Sequence, residues 1–293
     1  MSSVDLSALP APDVIEPLDF EDIYDEALGT FRGFMGDNWT AALESDAVVK
    51  LIELAAYIKL GNRGRVNDGA KAVLLAYAKG KDLDQLAANV NLKRLVIQEA
   101  DDSTVPATPE VKELDDALKE RIQLVYEGLT TAGPRNSYIL HARNASGQVA
   151  DATAESPSPA TVVVTVLGIS GTGVVDQALL DVVLAYLSDD DLRPVGDRLL
   201  VQSAEVIPYK IDAILHMKGT GSENETILAE ARKRLAAWIN PRRRLAVEVA
   251  RSAIDAQLHI EGVRRVELVG WSDILPTKAQ AAYCTGVSVK LGA

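Results

Sequence analysis

The spacing of apolar residues changes near residue 130, from the 3.6-residue period of helices to the two-residue alternation of strands. The change predicts an α+β protein: a helical bundle first, then two smaller mixed α+β domains. Phe20, Ile23, Ala27, Phe31 and Phe34 recur at helical spacing, and Tyr24, Leu28 and Met35 widen that stripe. Over 48–60 the chain is apolar almost all the way round, broken only by Lys50, Glu53 and Lys59. That pattern predicts a helix buried on most of its faces, capped by Ser45 and packed beside the helix before it. A polar passage with Asn62, Arg63, Arg65 and Asn67 separates it from a second stripe at Val66, Ala70, Val73, Leu74, Tyr77 and Ala78. Val73, Leu74 and Tyr77 read as the core face of that next helix. Gly80 is its predicted stop, and Asp82 is placed to cap a short helix carrying Leu83, Leu86 and Ala87. A fourth helix is predicted from Thr108 and Pro109, with Val111, Leu114, Leu118, Ile122 and Val125 on one face and an end near Gly128.

Beyond Thr130 the alternation predicts strands over 138–143, 148–153, 161–167 and 198–207, with a helix over 174–187. A third unit follows: a strand over 209–217, a glycine turn at 219–221, helices over 222–239 and 250–259, and strands over 263–269 and 282–291. Ser222 and Glu225 read as a capping box for the first of those helices. The expected domains are an extended arm over 1–18, a helical domain over 19–129, a middle α+β domain over 130–207 and a C-terminal α+β domain over 208–293. Pro10, Pro12 and Pro17 keep the arm from being helical, and Leu9, Val14, Ile15 and Leu18 favour its lying along a neighbouring subunit.

Composition narrows the partners. The 293 residues carry 42 acids against 30 bases, a formal charge of -12, which argues against general attraction to nucleic acid or to an anionic membrane. A single cysteine, Cys284, allows no internal disulfide and reads as a buried small hydrophobe. The acidic, proline-interrupted N-terminus is unlike a signal peptide, and no window approaches the roughly 20 apolar residues of a membrane-spanning helix. The expected protein is soluble, leaving a cell by lysis or within a larger particle.

Candidate chemistry is sparse. The run GISGTG, from Gly168 to Gly173, lies between a strand and a helix, where a phosphate-cradling loop belongs. Yet Asp176 stands where the dinucleotide pattern needs its third glycine, and the lysine of a P-loop is missing, so a tight turn is the expected reading. Ser170 makes no nucleophile elbow. His141, His216 and His259 have no metal-ligand spacing, and Asp189, Asp190 and Asp191 lack the glycine and distant glutamate of a calcium loop. No catalytic, cofactor or metal residues are expected. Arg242, Arg243 and Arg244, with Arg264 and Arg265, form the basic clusters and suggest docking to an acidic protein surface. Changing Arg242, Arg243 and Arg244 together to alanine is expected to leave the monomer folded.

One stretch, RVNDGAKAVLLAYAKGKDLDQLAA over 65–88, resembles the baseplate J-like family of contractile phage tails and related contractile bacteriocins. Asn67 and Asp68 stand as that family has them, and so does the pattern of Ala76, Tyr77, Ala78, Gly80, Asp82, Leu83, Asp84 and Leu86. Further similarity lies in TAGP with Tyr138 and His141, in VADA and VVVTVL, in RPVGDRLLVQSAEVIPYKIDA, and in GVRRVEL with QAAYCTGV. Ala47 and Ala160 stand where the family often has proline and glycine. The resemblance implies a structural wedge protein that pairs through its helical region and closes a six-fold ring round a hub through its C-terminal domains. Its implied partners are a second copy of itself, a smaller neighbouring wedge protein and a sheath-initiating component, with no nucleic acid or membrane. It also implies assembly in the bacterial cytoplasm and a final place in the baseplate of a phage or phage-tail-like particle. Two alternatives stand beside it: a transient tail-assembly factor, and a nucleotide-dependent enzyme using the turn at 168–173.

Overall fold

The computed structural model describes the chain apart from residues 1–4, 11, 37–38, 40–42, 44, 130–132, 190–191, 241–242 and 293. The fold is α+β, and the chain divides into two compact units, Met1–Arg94 with Leu114–Ile122 and Leu95–Glu113 with Gln123–Ala293.

The first unit is helical. Helix α1 spans Phe20–Met35, and the Asp19 carboxylate caps it by accepting the N–H groups of Glu21 and Asp22. Helix α2, Ala47–Ala72, is capped by Asp46 rather than Ser45; the Asp46 carboxylate accepts the Val48 N–H at 2.9 Å. It runs unbroken through Gly61, Gly64 and Gly69, so the polar passage is part of one 26-residue helix, not a linker between two. Side chains from that passage hold the end of the arm. Asn67, itself buried, donates from Nδ2 to the Glu16 carbonyl at 2.8 Å and accepts the Glu16 N–H at 3.1 Å. Arg63 donates to the Pro17 carbonyl and pairs with Glu16. This end of the arm therefore lies on the chain's own α2.

Two further expectations are corrected here. The residues after α2 turn instead of continuing the helix, leaving Val73 exposed and Leu74 and Tyr77 half-buried. Gly80 opens helix α3, Gly80–Asn89, at a left-handed φ of 51°, where it was expected to close one. The second correction concerns α2: it buries only Val49, Ile52, Ala56 and Asn67 in the single chain, not most of its faces.

Helix α4 begins at Asp115, later than predicted, and ends at Leu124, short of the expected end near Gly128. Val111 and Lys112 instead form strand β2, paired antiparallel with β1, Val96–Gln98, because the bridge between Asp101 and Thr108 folds the intervening chain back as a hairpin.

The second unit holds the sheets. Residues 138–143, read as a strand, lie in helix α5, Arg135–Ala145. Pro134 occupies its N-cap, and Tyr138 and Ala142, one turn apart, are both buried, which a short apolar run cannot distinguish from a strand by periodicity alone. Strand β3, Val149–Ser158, pairs antiparallel with β4, Thr161–Gly168; helix α6, Gln177–Leu187, then carries the chain to β5, Arg198–Ser203, which pairs parallel with β4. Val164, Val166, Val183 and Leu187 centre this core. At Ala204 the chain leaves the first sheet for β6, Glu205–Met217, so the predicted strand over 198–207 is the whole of β5 and the start of β6. Strand β6 is central in the second sheet, between β7, Val263–Leu268, and β8, Gln280–Leu291. Helices α7, Glu223–Trp238, and α8, Arg251–Leu258, pack Leu228, Leu235, Ile254 and Leu258 against Ile211 and Leu215. Ser222 makes no side-chain cap bond because its backbone is already helical, so the expected capping box does not form.

At the β3 to β4 turn, Ala160 follows Pro159 with φ of 57°, a conformation that costs an L-residue roughly 1–2 kcal/mol. Glycine meets no such penalty. Ala160→Gly should raise stability by about 1 kcal/mol, read as a higher urea midpoint at unchanged m-value. Among the described residues, no helix is long and apolar enough to cross a membrane.

A candidate assembly interface

The geometry of α2 is that of a helix with two apolar faces. Val49, Ile52 and Ala56 pack inward, on the side where α1 lies and where Lys59 bridges to Glu26 at 2.7 Å. On the opposite side Leu51, Leu54 and Ile58, at i, i+3 and i+7, are 65%, 54% and 55% exposed. Tyr57 and Val66 are exposed on its flanks. Covering one such side chain is worth about 1.5–3 kcal/mol, so the outer stripe is a strong source of association energy once a partner is present. Its spacing is that of a short coiled-coil seam.

The residues of the 65–88 stretch form a structural node. Asn67 holds the arm, Asp68 is exposed on α2, and Ala76 and Tyr77 lie half-buried in the turn. Ala78 and Leu83 are buried, Leu86 is half-buried and Asp82 faces solvent in the first turn of α3. Asp84 pairs with Arg94, which also pairs with Asp115, each at 2.8 Å, while the Gly80 N–H donates to Asp115. The network fastens α3 to the start of α4.

Arg242 lies outside the described residues. Arg243 turns inward: it donates from Nη1 to the Gly171 carbonyl at 2.9 Å and from Nη2 to the Gly168 carbonyl at 3.1 Å, with the longer Ile169 carbonyl contact at 3.4 Å. Its guanidinium lies 5.3 Å from the centre of the Tyr283 ring, and burial pulls its pKa below the usual arginine value. Arg244 is half-buried and donates to the Arg243 carbonyl. Arg264 is exposed on β7, whereas Arg265 donates to Glu267 at 2.9 Å and shares the His216 Nε2 at 3.0 Å.

The turn at 168–173 therefore presents carbonyls to a cation. Two of its N–H groups are already bonded within the turn, Gly168 to the Gly173 carbonyl and Gly173 to the Ser170 carbonyl. A phosphate cradle needs free N–H groups at that place. A partner site that sequence reasoning missed lies nearby on β3: the Asp151 carboxylate accepts the Leu245 N–H and the Ala152 N–H, each at 2.9 Å. Burial pushes its pKa up, against those donors and the nearby Arg244 and Arg143. A lone acid in the apolar run VADATA was the only available signal.

Cys284 is buried, donates to the Gly286 carbonyl, and has its thiol pKa raised by burial, which makes it a weak nucleophile. His259 follows α8 as its C-cap. Among the described residues, no group of three or more His, Cys, Asp or Glu side chains could hold a metal ion; Asp190 and Asp191 lie outside them. His141 is half-buried, with its Nδ1 buried and unpartnered, and burial lowers its pKa against a bond to the Gly128 carbonyl. The neutral ring is the folded form. Stability should be full above the unfolded value near 6.5 and fall as the pH drops towards the lower folded value, because the unfolded chain then binds more protons. His141→Gln should flatten that slope in denaturant titrations across pH 7 to 5.

Baseplate protein J of Escherichia phage P2 is 46% identical over 299 residues, covering 100% of this chain and 99% of that protein. This chain belongs to the baseplate J-like family. Family models agree: the baseplate J-like N-terminal domain matches residues 44–101 and the baseplate J-like central domain matches residues 130–203. Helix α2 and its two apolar faces thus lie in the N-terminal domain of a baseplate J-like protein, and the first sheet with α5 and α6 lies in the central one. A cryo-EM structure of the anti-feeding prophage baseplate is also similar, at 13% identity and a TM-score of 0.41, over 62% of this chain and 46% of that one.

Proposed function

We propose that this baseplate J-like chain is a structural wedge protein of a contractile tail, and that it pairs with a second copy through the outer face of α2. The exposed stripe of Leu51, Leu54 and Ile58, opposite the face that α1 already covers, carries this reading. A second helix laid along it would turn α2 into the helix buried on most of its faces that its sequence describes. The C-terminal part, over 208–293, then reaches sideways to close a six-fold ring round the hub. The smaller neighbouring wedge protein and the sheath-initiating component complete its contacts, with Arg264, exposed on β7, as a docking position. Assembly takes place in the bacterial cytoplasm, and the mature chain sits in the baseplate of the released particle. No chemistry is assigned to it, since Arg243 fills the loop that a nucleotide would need.

Cells deprived of this chain alone should make no complete contractile particles, and supplying the intact chain should restore them. Complete particles in its absence would overturn the structural role.

A further inference from the structure

The second sheet has two edges of opposite character. That of β8 is closed along most of its length, by the bridge from Leu245 to Ala281, by Asn240 at Cys284 and by Arg232 at the Val289 carbonyl. Strand β7 is the other edge and pairs only with β6. The Val269 N–H donates to the Asp212 carbonyl, while Glu267 lies opposite Ile214 and Arg265 opposite His216, so alternation turns the backbone of 265, 267 and 269 towards β6. Val266 and Leu268 therefore turn their N–H and C=O groups outward, where they have no partner among the described residues. The register shift beside His216 ends this open run at Arg264. Arg265 and Glu267 are exposed side by side, with the guanidinium 2.9 Å from the carboxylate.

We propose that β7 pairs antiparallel with β7 of a second copy about a two-fold axis at Val266, joining the two three-stranded sheets into one. Charge selects that occupant and its register. An antiparallel partner must set outward residue against outward residue, which leaves three registers centred on this strand. Val266 opposite Leu268 places Glu267 against Glu267, and Val266 opposite Arg264 places Arg265 against Arg265. Like charges directly opposite one another are destabilising. Val266 opposite Val266 instead sets Arg265 of each copy against Glu267 of the other, in the closer cross-pair that carries no backbone bonds. The strand VRRVEL is thus its own complement, as a two-fold contact requires. Exposed ion pairs of this kind fix register and add little affinity, so the contact is weak between free chains and gains when copies are already held close. Arg264 stays exposed beside the added pair for its own docking.

This pairing rests on the reading that the C-terminal part joins copies round the hub, and names the strand that does so. The full-length Ile58→Glu chain, in which the α2 seam is disrupted, is followed by sedimentation equilibrium at concentrations well above those that pair the unsubstituted chain. A weak dimer is expected. Arg265→Glu and Glu267→Arg, each made on that background, should weaken it about tenfold or more, since each sets like charges across the axis. An equimolar mixture of the two should restore it, because each chain then meets its opposite charge only in the other. Rescue by mixing cannot come from the bond between Arg265 and Glu267 within one chain, which neither variant retains. A dimer indifferent to these substitutions, or one that mixing does not restore, would overturn the β7 contact alone. An Ile58→Glu chain that stays monomeric at every concentration would overturn both the contact and the C-terminal joining of copies.

Discussion

Ile58→Glu should leave the isolated chain folded and remove its ability to pair. In the single chain this side chain is 55% exposed and points away from the packed face of α2, so the monomer should lose no more than about 0.5 kcal/mol. In the pair, the substitution forfeits about 2 kcal/mol of apolar burial and adds a buried, unpartnered carboxylate that costs at least as much again. Together these amount to roughly 4 kcal/mol, a thousandfold weakening of association. Sedimentation velocity should show only monomer at concentrations where the unsubstituted chain pairs, with the circular dichroism melt unchanged. The companion Ile52→Glu serves as contrast: Ile52 is buried, so that variant should fail to fold whether or not pairing occurs.

Arg243→Ala should destabilise the sheet-bearing unit by about 2–4 kcal/mol. The guanidinium bonds the Gly168 and Gly171 carbonyls after β4 and lies against Tyr283 of β8, so its loss leaves carbonyls of one sheet unsatisfied and unfastens them from the other. Urea unfolding should show the loss, and hydrogen exchange should quicken around 168–173. Arg243→Lys should recover only part of it, because an ammonium has no planar fork to reach two carbonyls together. The sequence alone, which reads Arg242, Arg243 and Arg244 as an outward docking cluster whose alanine variant stays folded, gives no sign of this loss.

That difference shows where sequence reasoning stops. Elements with a strong period and clear punctuation were legible: α1, α6, α8, and the strands β3, β4, β7 and β8. Helix α5 was not, because SYILHAR is too short for its period to tell helix from strand, and its type is decided by packing against the first sheet. The partners of Arg243 sit more than 70 residues upstream, in carbonyls that carry no side-chain signature. For α2 the composition was readable and the burial was not. Residues apolar on both faces predicted burial on both, and the single chain covers only one of them.

As a fixed component of a contractile baseplate, this chain should stay with the particle through purification. Quantitative mass spectrometry of purified, sedimented particles, scaling this chain against the sheath and tube proteins, tests it most directly. The account predicts a low, constant ratio corresponding to a multiple of six copies per particle. Particles that lack the chain, with all of it left among the free soluble proteins, would contradict the account and indicate an assembly factor that departs before completion.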